Sequence, residues 1–143
     1  MGEENRVARS TDLMKNMSDD SLVKILTQVD LLDVASRLGN GNPANGLDCV
    51  MDWSNTLSLG EQQRLAFARI LTNRPRLIIL DESTSALDVE SEEKMYGILK
   101  DLGSSVSYVS VGHRPTLLVH HDRRLRLDRS NSTYSLEDIE PNE

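Results

Sequence analysis

One stretch, residues 57–88 with the sequence LSLGEQQRLAFARILTNRPRLIILDESTSALD, constrains the fold more than any other part of the chain. Its first half predicts an amphipathic helix from residue 60 to about residue 72, which Asn73 and Pro75 terminate. We expect four polar residues of this helix to face solvent: Gln62, Gln63, Arg64 and Arg69. The apolar run RLIIL follows, and such a short continuous run is typical of a strand buried on both faces of a parallel sheet. Two acids end the run. This order of elements predicts an α/β fold.

The residues downstream complete a parallel crossover unit. We predict a second helix from about residue 89 to 102, with Gly103 beyond its end, and then a strand in SVSYVSVGH. Strand, helix and strand with short connections form a parallel βαβ unit. Alternation on both sides of an Asn-Ser turn in LRLDRSNSTYSL predicts a small C-terminal hairpin.

The residues upstream are predicted to be helical, with one loop. In SDDSLVKILTQVDLLDVASRLG, apolar residues recur at helical spacing, Ser18 caps the start and Gly39 ends the helix. The following GNGNPANG is a loop by composition, because Gly and Asn tolerate left-handed backbone and Pro43 blocks a helix. We expect residues 1–17 to be a flexible N-terminus and residues 138–143 to be a tail.

Three polar side chains are expected at one edge of the parallel sheet. Asp81 and Glu82 follow the first strand and His113 ends the second, and ligands bind beyond the carboxyl ends of such strands. Asp81 could hold Mg²⁺, Glu82 could polarise a water, and His113 could hydrogen-bond a terminal phosphate. The alternative is that the acids only cap a turn and His113 is a polar strand end, since an apolar run followed by two acids is a weak motif.

The start of the helix at Gly60 is a candidate anion site. A helix start offers unpaired amides and a positive dipole end, Gly60 permits close approach, and the Ser58 hydroxyl adds a donor. The alternative is an ordinary N-cap, with Ser58 in the capping role. The pair His120 and His121 has no further ligands nearby to complete a zinc set, so we expect a solvated turn there.

Composition excludes several classes of protein. The net charge of -7 and the pI of about 4.9 argue against a surface that binds polyanions, so we expect no nucleic acid partner. A single cysteine, Cys49, fits a reducing compartment. No window has the apolar length of a membrane span and the start lacks the core of a secretory signal, so the chain itself is expected to be soluble.

Several motifs follow one another in a specific order. The segments LSLGEQQRLAFARIL, RPRLIILDESTSALD and VSVGHRP resemble the signature, Walker B, D-loop and histidine-switch sequence of ATP-binding-cassette (ABC) ATPases. More narrowly, the DW before the signature, the form LSLGEQQR and SVGHRPTL are similar to the subfamily D half-transporters of peroxisomes and chloroplasts and to related bacterial proteins. The resemblance covers residues from about 18 to 136.

The resemblance assigns roles at the two candidate sites. It implies that Ser58 and Gly60 contact a γ-phosphate, that Asp81 is the Mg²⁺-associated acid, that Glu82 is the catalytic base and that His113 is the switch. ATP and Mg²⁺ are therefore the implied cofactors.

Two further residues belong to the implied nucleotide-binding set. Asp88 is the D-loop acid, and Glu61 lies in the signature. Leu59 and Glu61 depart from the commonest signature, which has Gly and Gln at these positions. Leu59 is common in subfamily D, whereas the Glu61 carboxylate would reduce the electrostatic attraction for phosphates.

The phosphate-loop motif GxxxxGK[ST] does not occur in the sequence, and neither the stacking aromatic nor a clear Q-loop is found upstream. The resemblance thus implies the C-terminal part of an ABC nucleotide-binding domain, a partial P-loop NTPase fold. We expect a helical subdomain at about 18–72 and a core with Walker B, D-loop and switch at about 73–137. Since the phosphate loop supplies most of the groups that hold the phosphates, tight ATP binding in cis and ATPase activity of the isolated chain are not expected.

Two functions remain open. The first is ATP binding and hydrolysis coupled to transport of a hydrophobic or acyl substrate across a chloroplast or peroxisome membrane. Its implied partners are a second ABC nucleotide-binding domain, in a homodimer or heterodimer, and a membrane-spanning transporter domain. The second is a non-catalytic truncated module that completes or blocks a partner domain's ATP site through Ser58 and Gly60. DNA-repair or chromosome-maintenance ATPases share the signature and Walker B motifs, but the acidic charge and the segment SVGHRPTL count against this third class.

Overall fold

The structure, a computed structural model, describes residues 17–128 and 130–140. The expected flexible N-terminus lies outside the described residues except for Met17, as does the end of the expected tail. Within these ranges a group of helices precedes a parallel βαβ unit, and an antiparallel hairpin follows. This arrangement confirms the predicted α/β class. None of the helices in the described ranges combines the length and apolar character needed to cross a bilayer.

The elements run as follows along the chain. The first five helices are α1 Asp19–Gln28, α2 Leu32–Leu38, α3 Pro43–Leu47, α4 Trp53–Thr56 and α5 Leu59–Asn73. The parallel unit consists of β1 Leu77–Asp81, α6 Val89–Asp101 and β2 Ser107–Val111, and the hairpin of β3 Arg123–Asp128 and β4 Thr133–Asp138. Short 3-10 turns at Gly103–Ser105 and Pro115–His120 flank β2.

The single helix predicted across residues 18–39 is wrong, because the chain breaks between α1 and α2. Asp30 adopts φ 56°, a left-handed conformation that cannot continue an α-helix. Its carboxylate accepts a hydrogen bond from Lys94 Nζ of α6 at 2.5 Å. The break allows Val29 and Leu31 both to be buried in the core. Ser18 caps α1 as predicted, accepting from the Ser21 amide at 3.3 Å.

The prediction of a plain loop at residues 39–46 is also wrong. Pro43 occupies the first position of α3, where the missing amide hydrogen costs nothing and the fixed φ suits a helix. Asn42 caps this helix, accepting from the Ala44 amide at 3.1 Å. Gly46 packs directly on α2, since a Cβ there would lie 2.1 Å from the Ala35 carbonyl oxygen.

The core forms where α1, α5 and α6 cover one face of the parallel strands. Its buried apolar residues are Ile25, Val29, Leu31, Phe67, Ala68, Ile78, Leu80, Leu87, Met95, Tyr96 and Leu99. The two strands pair in parallel, with Leu77 opposite Ser107 and Asp81 opposite Val111. In this register the carboxyl ends of both strands meet at one edge, which is the geometry the sequence predicted.

The prediction that β1 is buried on both faces is wrong for the described part of the chain. Ile78 and Leu80 are buried, whereas Leu77 and Ile79 are 58% and 71% exposed. The pairing register places Val109 on the same open face as Ile79. The predicted hairpin is confirmed, and its strands also leave apolar side chains exposed on one face: Leu125, Leu127, Tyr134 and Leu136.

Candidate functional site

Glu82 and His113 meet at the carboxyl edge of the parallel strands. The Glu82 amide donates to the Val111 carbonyl at 2.9 Å, which fixes the start of the turn after β1 to the end of β2. His113 lies two residues beyond that point, and its Nε2 is 3.5 Å from Glu82 Oε1. The side chain of His113 is 95% exposed and that of Glu82 is 44% exposed. Asp81 precedes them as the last residue of β1 and is also exposed.

Glu82 adopts an unusual backbone conformation. Its φ of 48° lies in the left-handed region, where a side-chain-bearing residue is strained by about 1 kcal/mol or more. Such a conformation persists only when the surrounding structure holds it. The loop that follows, residues 82–88, is named the strand-end loop below.

Gln63 of α5 holds the strand-end loop from one side. Its Nε2 donates to the Glu82 carbonyl and to Ser85 Oγ, both at 3.0 Å, and its Oε1 accepts from the Ala86 amide at 3.0 Å. The sequence placed Gln63 on the wet face of the helix. Its position there is consistent with the helical period, but periodicity cannot show that a polar side chain binds a loop distant in sequence.

Ser58 and Glu61 form a capping box at the start of α5. The Glu61 amide donates to Ser58 Oγ at 3.3 Å, and the Ser58 amide donates to Glu61 Oε2 at 2.7 Å. The bond from the Ser58 amide lowers the pKa of Glu61, and Arg37 at 3.6 Å adds to this effect. The capping role, which the sequence left open, is therefore real. Glu61 takes the Ser58 amide, whereas the amides of Leu59 and Gly60 at the same helix start have no acceptor among the described residues.

Gly60 brings the start of α5 against the strand-end loop. A Cβ at Gly60 would lie 3.4 Å from the Ala86 carbonyl oxygen and 3.6 Å from the Leu87 side chain. At the other end of the loop, Asp88 caps α6 by accepting from the Ser91 amide at 2.7 Å. The predicted nucleotide-binding residues thus lie on elements that contact one another.

Arg64 adds positive charge to this region. After the hydrogen bonds already described, the Arg64 guanidinium further lowers the pKa of both Glu61 and Asp88. Its Nε is buried and has no hydrogen-bond partner among residues 17–128 and 130–140. Sequence reasoning placed Arg64 in solvent, because the helical period cannot show that part of a polar side chain is buried.

A second polar network, which sequence reasoning missed, lies beneath the strand-end loop. Glu92 of α6 is 1% exposed. Its two carboxylate oxygens accept from Thr84 Oγ1 at 2.7 Å and from Thr116 Oγ1 at 2.5 Å, and Arg114 Nη1 is 3.4 Å away. Glu92 looks like an ordinary solvated acid in the helix pattern, so the sequence carries no signal of its burial.

The histidine pair after β2 is not the solvated turn that was predicted. His120 is buried and stacks on Tyr96 with ring centroids 4.5 Å apart, and burial lowers its pKa. His121 Nε2 is 2.8 Å from Ser110 Oγ. No cluster of three or more His, Cys, Asp or Glu side chains able to hold a metal occurs in the described ranges.

The carboxyl edge of the strands fits an Mg²⁺-bound phosphate. Mg²⁺ takes one or two carboxylates and otherwise keeps waters and phosphate oxygens, and Asp81 and Glu82 are consecutive acids that are both exposed. His113 Nε2 lies 3.5 Å from the Glu82 carboxylate. A pair of acids without a closed ligand cage is what such a cation requires when a phosphate supplies its other ligands.

Comparison with known proteins places these residues in a family context. A family model described as ABC transporter matches residues 2–85. An uncharacterized ABC transporter ATP-binding protein of Synechocystis is 50% identical over 109 residues, which cover 76% of this chain and 15% of that protein. ABC transporter D family member 2, chloroplastic, of Arabidopsis thaliana is 43% identical over 126 residues, covering 85% of this chain and 17% of that protein.

The chain is also similar to a third relative and to one solved structure, and that structure confirms the predicted partial ABC ATPase fold. The lysosomal cobalamin transporter of Mus musculus is 40% identical over 116 residues, covering 80% of this chain and 18% of that protein. The structure of a bacterial Atm1-family ABC exporter with ATP bound matches with a TM-score of 0.62 and 27% identity, covering 84% of this chain and 20% of that one. This chain therefore spans less than a fifth of the length of the three relatives.

Proposed function

Because this chain belongs to the ABC transporter family and resembles its D-family members, we propose that it is the C-terminal part of an ABC nucleotide-binding domain. In this role it contributes to ATP binding and hydrolysis coupled to transport across a membrane. The observation that carries the proposal is the 3.5 Å approach of Glu82 and His113 beyond two parallel strands. Gln63 and Gly60 bring the start of α5 next to the same edge.

Each residue at the strand edge has a proposed role that follows from its chemistry. Asp81 would hold Mg²⁺ directly or through water, and such a cation would supply positive charge for the phosphates. Glu82 accepts a hydrogen bond from the attacking water and orients it, and His113 donates to a phosphate oxygen or to that water. The exposure of both side chains leaves them accessible to a nucleotide held by a phosphate loop.

The start of α5 has the proposed role of contacting the phosphate of a nucleotide held by a second ABC domain. Ser58 is exposed, Leu59 is 60% exposed, and the amides of Leu59 and Gly60 have no acceptor within residues 17–128 and 130–140. Arg64 Nη1 lies 4.0 Å from the position of a Cβ at Gly60, so its guanidinium adds positive charge at this helix start. The partners that we propose are a second nucleotide-binding domain and a membrane-spanning transporter domain.

A pair of variants at Leu59 tests this role without disturbing the fold. Leu59→Glu places a carboxylate in the first turn of α5, where it stabilises the helix but repels a phosphate. Leu59→Gln is the neutral control of nearly the same size. We expect the chain to associate with a complete D-family nucleotide-binding domain in the presence of ATP and Mg²⁺, measured by titration calorimetry. Leu59→Glu should weaken this association about tenfold or more, and Leu59→Gln should leave it near wild type.

Two results would refute the proposed role of the α5 start. One is association that is the same with and without ATP. The other is an equal affinity of the Leu59→Glu and Leu59→Gln chains for the ATP-loaded domain.

The alternative function is a non-catalytic module that completes or blocks a partner's ATP site. The exposed start of α5 supports it, together with the lack of GxxxxGK[ST] in the 143 residues. Two measurements of ATP turnover test these functions, one on the purified chain and one on a partner domain mixed with the chain. We expect negligible turnover from the chain alone, and turnover that Glu82→Gln abolishes would instead favour a catalytic chain. An effect on the partner domain's turnover that depends on Ser58 would favour the module.

The substrate and the membrane are proposed from the relatives only. We propose a hydrophobic or acyl substrate and a chloroplast or peroxisome membrane, in line with the chloroplastic Arabidopsis relative. The mouse relative is named for cobalamin and the lysosome, so both features vary among proteins of this similarity. Imaging a fluorescent fusion of the chain, expressed with its membrane-spanning partner, tests the location.

A further inference from the structure

The buried carboxylate of Glu92 connects three separate segments. It lies on α6, it accepts from Thr84 of the strand-end loop, and it accepts from Thr116 beyond His113. A carboxylate that is 1% exposed would be strongly unfavourable without such partners. The network therefore fixes the strand-end loop and the segment after β2 relative to one helix.

Arg114 connects the same segments more directly. It follows His113 in sequence, and its Nη1 donates to the Leu87 carbonyl at 2.8 Å while its Nη2 donates to the Ser85 carbonyl at 3.1 Å. Nη1 also lies 3.4 Å from Glu92 Oε2. The planar guanidinium can satisfy several acceptors at once in a fixed geometry, which a lysine cannot do.

We propose that Arg114 and Glu92 are positioning residues that set the distance between His113 and Glu82. The inference rests on the proposed function, in which these two side chains act on one nucleotide. Arg114 is adjacent to His113, and Ser85 lies three residues after Glu82. The hydrogen bond from Arg114 to the Ser85 carbonyl therefore links the segment that carries His113 to the loop that carries Glu82. Together with Gln63 on the other side, this link holds Glu82 in its left-handed conformation.

The test compares Arg114→Ala and Arg114→Lys in the full 143-residue chain. The control is Arg123→Ala, which removes an arginine paired with Asp138 on the hairpin at 3.0 Å and touches no part of the strand-end loop. Amide hydrogen exchange is followed by NMR, together with the nuclear Overhauser contact between the His113 ring and the Glu82 side chain.

We expect exchange at the Ala86 and Leu87 amides to rise about tenfold or more in Arg114→Ala, because opening of the loop becomes a local event. The contact between His113 and Glu82 should disappear in the same variant. Arg114→Lys keeps the positive charge but lacks the planar guanidinium. This variant should therefore restore less than half of the protection from exchange at the Ala86 and Leu87 amides. Amides of β1 should keep their wild-type exchange rates, and Arg123→Ala should match wild type throughout.

Unchanged exchange at Ala86 and Leu87 in Arg114→Ala would overturn the inference. Equal acceleration across β1, α5 and the loop would also overturn it, because it would show general destabilisation. If Arg114→Ala does not fold, Glu92→Gln serves in its place, since the amide keeps the size of the side chain and loses its charge. No nucleotide enters this experiment, so its outcome is independent of whether the chain acts at an ATP site.

Discussion

Replacement of Ser58 by alanine tests the capping box at the start of α5. The change removes the Oγ atom that accepts from the Glu61 amide at 3.3 Å and leaves that amide without its partner. Loss of a serine N-cap lowers the free energy of unfolding by about 1 kcal/mol, which is a factor of about five in the folding equilibrium. Urea unfolding at neutral pH, followed by circular dichroism, should therefore show a lower midpoint with an unchanged slope.

The partner variant Glu61→Gln separates the hydrogen bond from the charge. A glutamine oxygen can still accept from the Ser58 amide at the position of Glu61 Oε2, but it cannot ionise. The pKa of Glu61 is lowered in the folded chain from 4.5, so its carboxylate contributes stability that is fully present above about pH 4.5. This contribution is lost as the pH falls through the lower, folded pKa.

The difference in stability between wild type and Glu61→Gln should thus be largest near pH 7 and should shrink in acid. Glu90→Gln is the matched control, because Glu90 lies in the first turn of α6 and the cap of that helix is Asp88. An unchanged midpoint in Ser58→Ala, or a difference for Glu61→Gln that grows as the pH falls, would refute the capping argument.

Three further substitutions test the packing around the site, each by urea unfolding. Gln63→Ala removes the hydrogen bonds to the strand-end loop and should lower the free energy of unfolding by about 2 kcal/mol. Its control, Gln28→Ala at an exposed position, should lower it little. Equal unfolding midpoints of the two variants would contradict this prediction. Phe67→Ala should cost about 3 to 5 kcal/mol because Phe67 is fully buried, and a loss below about 1 kcal/mol would show a collapsible core. Gly46→Ala should cost more than about 2 kcal/mol because of the Ala35 carbonyl; its control Gly97→Ala, with open space around the added Cβ, should gain up to about 1 kcal/mol.

The parts of the fold that the sequence predicted well are those with local causes. The period of apolar residues, a capping serine and a following proline determine α5 to within a residue at each end. The strands and the hairpin followed from short apolar or alternating runs in the same way. The meeting of Glu82 and His113 also followed from a local rule, since parallel strands place their carboxyl ends at one edge.

The errors arose where tertiary contacts override local signals. Helical periodicity continues through Asp30, yet burial of both Val29 and Leu31 requires a break that Lys94, far along the chain, helps to hold. Pro43 was treated as a helix breaker although it suits the first position of α3. The apolar run of β1 indicates that the strand prefers burial. It cannot show that only one face of this strand is covered by the described residues.

The residues that hold the site together were missed for a related reason. Gln63 and Arg114 bind groups of the strand-end loop 19 to 29 positions away, and Glu92 binds side chains of two other segments. In the sequence all three are ordinary polar positions. Chemical motifs identify residues that could act on a ligand. They carry no information on the side chains that hold those residues in place.

The left-handed backbone of Glu82 has a consequence for how this position would vary under selection. Glycine adopts φ near 48° without strain, so a mutant library screened only for soluble expression should enrich glycine at position 82. Under the proposed function, a library screened for ATP-driven transport in the assembled protein should instead retain glutamate, because glycine offers no carboxylate. The residue preferred at this one position would thus reveal which of the two pressures, folding or catalysis, acts on the chain.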